Sequence, residues 1–240
     1  MSYLFRRSGL AVGLISDLLK WRADRVYQVG VGGHHQEVDV LRKEWRGVKF
    51  TGCEPHPAMC RRIRRSYPGD LREVAISDFV GKADLHVKSR HADGSTLFPI
   101  TDKGGMERCE VVVETLDHLF PGPHGERILL WLDCEGSELK VLQGGREFLK
   151  RVEMVNVELT GNRPHPDWCD PVDVHRLLME AGFFTQHVHT HRLSAGQYDA
   201  IYVRGMLFDP LFCCVPTEVE RHRSCCWVLT KEDACERSAT

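Results

Sequence analysis

The sequence predicts an α/β domain built on a mostly parallel β-sheet, between about residues 25 and 205. Short apolar runs alternate with helical patterns over this stretch, as they do where strands and helices follow one another. Three runs are almost continuously apolar, which is typical of central strands covered on both faces, at 25–31, 127–133 and 152–159. Two late runs, at 183–190 and 198–204, are a short loop apart. They predict an antiparallel pair added to the parallel sheet.

The other elements follow from the same two periodicities. Four further strands are predicted at 48–54, 71–77, 83–89 and 109–115, and three helices at 35–46, 56–66 and 136–150. A fourth helix, at 171–181, carries its own boundary signals. Asp170 can cap it, Pro171 suits its first turn, and Gly182 can end it.

The chain divides into three parts by pattern. Residues 1–24 contain a basic patch and an apolar run that Asp17 interrupts, so we expect an amphipathic helix rather than a signal peptide. Residues 25–205 form the main domain. They include a loop at 90–106 that is either functional or a plain connection. Residues 206–240 lose the periodicity, and we expect an irregular, cysteine-rich tail.

Composition and charge narrow the function classes. The 240 residues carry 34 acidic and 32 basic side chains, so there is no overall positive field to attract nucleic acid, which we disfavour as a substrate. The ten cysteines follow no regular framework, and we expect reduced thiols in a cytoplasmic protein. No run of about 18 uninterrupted apolar residues occurs, so no membrane span is predicted.

Two groups of residues could suggest a metal. Cysteine pairs at 213–214 and 225–226 are adjacent, whereas zinc ligands are usually spaced by two or more residues. His187, His189 and His191 share one face of a predicted strand, which we interpret as a polar face. We therefore predict no metal site.

A glycine-rich turn follows the first strand in "VGVGGHHQEV". Gly30 and Gly32 allow the backbone to turn sharply and approach a ligand, although any tight strand-to-helix turn favours glycine. Glu54 lies at the tip of the second strand, where doubly wound folds bind ribose hydroxyls. The glycine-rich turn and Glu54 together indicate a nucleoside-containing ligand. A dinucleotide would require a third glycine where this chain has His35, so S-adenosylmethionine is the favoured cofactor.

Further polar residues follow later strands. Ser77 and Asp78 end the third strand, where they either meet an adenine ring or form a capped turn. Asp133 ends the apolar run "ILLWL", at the edge where open α/β sheets bind ligands, and an acid there is costly to bury without partners. It is our candidate for the base that takes a proton from an attacking hydroxyl. Glu135 is a second catalytic candidate, with support of the next helix as the alternative. Paired acids of this kind could also bind a divalent cation, which their spacing alone does not show. Glu158, at the tip of the next strand, is a further candidate for the substrate side.

Six segments, taken in order, resemble the FkbM family of S-adenosylmethionine-dependent methyltransferases over roughly residues 25–160. They are "VYQVGVGG", "GCEPHP", "VAISDFVG", "VVVETLDHL", "ILLWLDCEGSELKVLQGG" and "VEMVNVEL". The resemblance implies a class I methyltransferase (Rossmann-like) fold with a mostly parallel seven-stranded sheet. It also implies methyl transfer from S-adenosylmethionine to a hydroxyl of a small molecule or glycan. The cofactor positions it implies are Gln28, Gly30, Gly32, Glu54, Ser77 and Asp78.

Two residues depart from the family pattern. Gln28 stands where relatives usually have an acid, and Trp131 stands where they commonly have a lysine. A binding protein that kept the fold without activity is therefore an alternative. An NAD-type oxidoreductase is a further alternative, which His35 and the acids after residue 132 disfavour.

Overall fold

The computed structural model describes most of the predicted domain. The described residues are 12, 17, 19–33, 35–88, 94–99, 106–122, 125–161, 165–192 and 196–207. Most of the predicted N-terminal helix, of the 90–106 loop and of the tail with its paired cysteines lies outside them. None of the helices within this part of the chain is long and apolar enough to cross a membrane.

Seven strands form the main sheet. They are β1 (Arg25–Val29), β2 (Lys49–Cys53), β3 (Asp70–Arg72), β7 (Ile128–Leu132), β8 (Val152–Thr160), β9 (Phe183–Arg192) and β10 (Gln197–Arg204). Their order across the sheet is β3-β2-β1-β7-β8-β10-β9. Only β10 is antiparallel, to both of its neighbours. The predicted seven-stranded sheet of the class I methyltransferase fold is confirmed, with β1, β7 and β8 at its centre.

A second sheet was not predicted. It has three strands, β4 (Ala75–Ile76), β5 (Gly81–Lys88) and β6 (Met106–Glu114), in the order β4-β6-β5. The single strand predicted at 71–77 is two short strands, because β3 joins the main sheet and β4 joins the second one. A period-two pattern indicates a strand, but it does not say which sheet the strand enters.

Within the described ranges, six helices lie between the strands. They are α1 (Gln36–Glu44), α2 (Pro57–Ile63), α3 (Leu116–Leu119), α4 (Glu138–Gln143), α5 (Arg146–Leu149) and α6 (Pro171–Glu180). The helix predicted at 136–150 is broken into α4 and α5 at Gly144 and Gly145. A β-carbon on Gly144 would lie 2.1 Å from the carbonyl oxygen of Ser77, so this turn requires close backbone approach. The predicted cap is confirmed, since the Asp170 carboxylate accepts from the N–H of Val172 at 2.9 Å.

Both faces of the central strands are buried. One face packs with Val141, Leu142 and Phe148 of α4 and α5, and the other with Val38 and Leu41 of α1. The carboxyl ends of the parallel strands therefore share one open edge, where ligands bind in folds of this type.

Candidate functional site

A cavity of about 350 Å³ opens at the carboxyl ends of β1, β2, β7 and β8. Six of the eight predicted site residues line it, namely Gln28, Gly30, Gly32, Glu54, Asp133 and Glu135. The sheet brings them together because each follows or ends a neighbouring strand. Ser77 and Asp78 do not line this cavity, although Ala75 and Ile76 just before them do.

Gly30 makes the turn after β1 possible. Its φ is +81°, and its N–H donates to the carbonyl of Cys53 at 2.9 Å. A β-carbon on Gly30 would lie 1.7 Å from the carbonyl oxygen of Asp133. Both the left-handed conformation and the lack of space therefore require glycine at this position.

Glu54 holds the glycine turn in place. Its side chain is 5% exposed, and one carboxylate oxygen accepts from the N–H groups of Val31 at 3.2 Å and Gly32 at 2.7 Å. The other oxygen accepts from the N–H of His56 at 2.8 Å. These bonds tie the tip of β2 to the turn after β1, so the acid supports the loop as well as lining the cavity.

Asp133 lies at the centre of the edge, directly after β7. Its N–H donates to the carbonyl of Val29 at 3.0 Å. Asp133 is partly buried and lines the cavity. Loss of solvent raises the pKa of Asp133 well above its ordinary value, and the carboxylates of Glu158 and Glu135 raise it further.

Strand register places three carboxylates side by side. Leu132 of β7 is paired with Val157 of β8, so Asp133 and Glu158 follow as neighbours. Glu158 is in turn directly opposite Asp199 of β10. All three side chains line the cavity. Sequence reasoning named Glu158 only as a further candidate and missed Asp199, because the register of an antiparallel strand cannot be read from the sequence.

Glu135 and Glu138 have different surroundings. Glu135 has a positive φ of +49°, and its carbonyl accepts from the Thr96 hydroxyl at 2.8 Å. The carboxylate of Glu138 accepts from the N–H groups of Cys134 at 2.9 Å and Gly136 at 3.2 Å. Burial raises the pKa of Glu138, and these hydrogen bonds oppose that rise. Glu138 therefore provides the helix support that the sequence left open for Glu135.

The two departures from the family pattern lie in one row across the sheet. Gln28 of β1 is paired with Trp131 of β7, which is paired with Asn156 of β8. Gln28 is 3% exposed and its side-chain oxygen accepts from the Tyr67 hydroxyl at 3.3 Å. Among the described residues, neither amide atom of Asn156 has a hydrogen-bond partner. Gln28 and Trp131 form part of the cavity wall.

Sequence reasoning missed Ser137. It precedes α4, where a serine normally caps the helix, yet its side chain makes no capping bond. The residue is 2% exposed and lines the cavity, and its hydroxyl has no hydrogen-bond partner in the described part of the chain. A polar group in this state is available to a ligand.

Ser77 and Asp78 lie beside a separate hollow. The Ser77 hydroxyl donates to the Asp78 carboxylate at 3.1 Å, and Ser77 lines that hollow with Phe98 and Lys140.

Over the described residues, no group of three or more His, Cys, Asp or Glu side chains is arranged to hold a metal ion.

The family model of the methyltransferase FkbM domain matches residues 30–185. No curated protein matches the chain significantly. Similar solved structures include magnesium protoporphyrin IX methyltransferase (ChlM) from Synechocystis PCC 6803 with bound SAM, which is 10% identical, with 82% of this chain and 83% of that chain covered and a TM-score of 0.42. The N-terminal domain of EvdMO1, in the presence of SAH and D-fucose, is 11% identical, with coverage of 85% and 84% and a TM-score of 0.45.

Proposed function

The chain belongs to the FkbM methyltransferase family, and on that basis we propose that it methylates a hydroxyl oxygen of a small molecule or sugar, with S-adenosylmethionine as the methyl donor. The observation that carries the proposal is one cavity shared by the glycine turn, Glu54 and Asp133. The methyltransferase unit is the domain at 25–205.

The residues at the glycine turn fit this cofactor. Gly32 and Gly33 line the cavity, and because they have no side chains a ligand can approach the backbone of the turn there. Glu54 is the residue proposed for the ribose hydroxyls, since it lines the cavity at the tip of β2 and carboxylate oxygens accept hydrogen bonds from hydroxyl groups. Gln28 offers amide groups in place of an acid. When bound, the cofactor supplies an electrophilic methyl group on a positively charged sulfur, which suits an acidic cavity.

Asp133 is the proposed base. An alcohol is a better nucleophile when a positioned carboxylate takes its proton, and a raised pKa makes that carboxylate a stronger base than an ordinary aspartate. Glu135 lines the same cavity and is the second acid proposed for the acceptor side. Ser77 and Asp78 are proposed for the adenine, because they directly follow Ile76 of the cavity wall.

Calorimetric titration with S-adenosylhomocysteine tests the proposal. Wild-type protein is expected to bind it, and Glu54→Ala to weaken binding at least tenfold. Glu73→Ala is the matched control, since Glu73 is exposed and, among the described residues, its carboxylate accepts only from Arg64, at 3.2 Å. Thermal melts confirm that each variant is folded. Unchanged affinity in Glu54→Ala contradicts the proposed cofactor site.

A binding protein without activity is the second candidate, because Gln28 and Trp131 replace an acid and a lysine of the family pattern. It predicts that neither S-adenosylhomocysteine nor NAD binds to the wild-type protein. Binding of NAD alone would instead favour an oxidoreductase.

A further inference from the structure

Ser137 carries a buried hydroxyl in the cavity wall that no described residue pairs with. In this turn the carboxylate of Glu138, and not the serine, accepts from the N–H groups of Cys134 and Gly136. Burial of a hydroxyl without a hydrogen bond is unfavourable, and buried polar groups in folded proteins are normally paired. A ligand in the cavity that bonds to Ser137 would remove this cost.

The two faces of the main sheet determine which part of the cavity Ser137 borders. Ser137 comes directly before α4, and Val141 of this helix packs in the same buried cluster as Ile76 of β4. Helix α1, which follows the glycine turn, packs against the opposite face. Because Ile76 also lines the cavity, Ser137 and Ile76 border it from the same face of the sheet.

The far end of α4 contacts the segment proposed for the adenine. Gly144, which follows the helix, comes so close to this segment that a β-carbon there would lie 2.1 Å from the carbonyl oxygen of Ser77. Ser77 and Asp78 are the two residues proposed for the adenine. Helix α4 therefore runs from Ser137 in the cavity wall to that segment, and the base is the part of the cofactor that belongs on this side.

The second sheet supplies an apolar wall beside Ser137. Leu85 belongs to the buried cluster of that sheet, Leu97 packs against it, and both residues line the cavity. Thr96, next to Leu97, donates from its hydroxyl to the carbonyl of Glu135 at 2.8 Å, so this wall adjoins the turn that leads to Ser137. A flat aromatic base can bury its faces against apolar side chains, and only its edge then requires hydrogen bonds.

We propose that Ser137 selects the base of the methyl donor, by donating a hydrogen bond from its hydroxyl to a ring nitrogen of the adenine. The inference rests on the proposed function. A carboxylate such as that of Asp78 only accepts hydrogen bonds, so it suits the exocyclic amino group, which is the donor on the edge of the base. The ring nitrogens only accept, and they require a donor such as the Ser137 hydroxyl.

Calorimetric titration of the wild type and Ser137→Ala tests the proposal with S-adenosylhomocysteine and its three deaza analogues, in each of which a C–H group replaces one ring nitrogen. Ser137→Ala is expected to weaken S-adenosylhomocysteine about tenfold. For one analogue, which lacks the acceptor of this bond, the two proteins should bind equally within about twofold. For the other two analogues they should again differ about tenfold. Ser137→Cys keeps the size of the side chain but is a weak donor, and it should give the same pattern.

Ser66→Ala is the matched control, because Ser66 is exposed and its hydroxyl donates to the carbonyl of Ile63 at 3.1 Å, away from the cavity. It should bind every ligand as the wild type does. Thermal melts without ligand should show no loss of stability in Ser137→Ala, since the hydroxyl that it removes has no partner among the described residues.

Two results overturn the role of Ser137 and leave the proposed function intact. One is unchanged affinity of Ser137→Ala for S-adenosylhomocysteine, and the other is equal weakening of all four ligands. If the wild-type protein binds none of the ligands, the proposed methyltransferase function fails, and the role of Ser137 fails with it.

Discussion

The backbone of Asp133 lies against Gly30 so closely that a β-carbon at residue 30 would meet the Asp133 carbonyl oxygen at 1.7 Å. The two residues directly follow adjacent central strands, β1 and β7. This contact fixes the position of the glycine turn relative to the proposed catalytic carboxylate. The proposed cofactor and acceptor sides of the cavity therefore meet at this backbone contact.

Gly30→Ala is expected to abolish S-adenosylhomocysteine binding and to lower the free energy of unfolding by about 3 kcal/mol or more. Two costs combine, because alanine is strained at a φ of +81° and its methyl group meets backbone that cannot rotate away. Urea denaturation and calorimetry measure the two effects.

Gly47→Ala separates these costs. Gly47 has the same φ of +81°, but a β-carbon there would meet nothing within 4 Å. The free energy of unfolding of Gly47→Ala should fall only by the cost of the left-handed conformation, about 1 kcal/mol. The variant should bind S-adenosylhomocysteine normally. Equal losses of stability in the two alanine variants would show that the contact with Asp133 contributes nothing.

Glu54→Ala is expected to lower the free energy of unfolding by about 1–3 kcal/mol, since the N–H groups of Val31, Gly32 and His56 lose a buried acceptor. Urea denaturation measures the loss. In Glu73→Ala an exposed ion pair is removed, so a change within about 0.5 kcal/mol is expected. If Glu54→Ala lost no more stability than Glu73→Ala, the role of Glu54 in holding the loop would be contradicted.

Local spacing made part of this site predictable. The glycine turn and Glu54 belong to one strand–helix–strand unit, so the distance between them along the chain determines how they meet. Asp133 was predictable for a similar reason, because an acid that ends a fully apolar strand must lie at the edge of the sheet.

The remaining site residues depend on long-range features. Asp199 reaches the cavity through the register of β10 with β8, which no local pattern specifies. Ser137 looks like an ordinary helix cap in the sequence, and only its missing capping bond distinguishes it. The second sheet was missed because a strand pattern does not show which strands pair, and here β6 pairs with β4 and β5.

Asn156 is expected to lower the stability of the wild-type protein. It is fully buried, and neither of its amide atoms has a partner in the described part of the chain. Asn156→Val removes both polar atoms from a strand that favours β-branched residues, so the free energy of unfolding should rise by about 1 kcal/mol. Urea denaturation measures the change. A decrease would show that the amide is satisfied, for example by a buried water.

Asp133→Asn is expected to stabilise the protein at neutral pH. Since the folded-state pKa of Asp133 is raised, the wild-type protein loses stability as the pH rises from about 4, the ordinary carboxyl range, through that raised pKa. Asparagine does not ionise and avoids the loss. The melting temperature of the variant should exceed that of the wild type by roughly 2–4 °C at pH 8, and the difference should vanish near pH 3.

Asp24→Asn provides a comparison of opposite sign. Hydrogen bonds from Arg127 lower the pKa of Asp24 to about 2, so this carboxylate stabilises the fold above pH 4, and the stabilisation is lost as the pH falls through about 2. Because the pair is largely exposed, its removal should cost no more than about 1 kcal/mol at neutral pH. If Asp133→Asn lowered the melting temperature at pH 8, as Asp24→Asn is expected to do, the result would show that the surroundings of Asp133 stabilise its carboxylate. Its proposed action as a strengthened base would then be wrong.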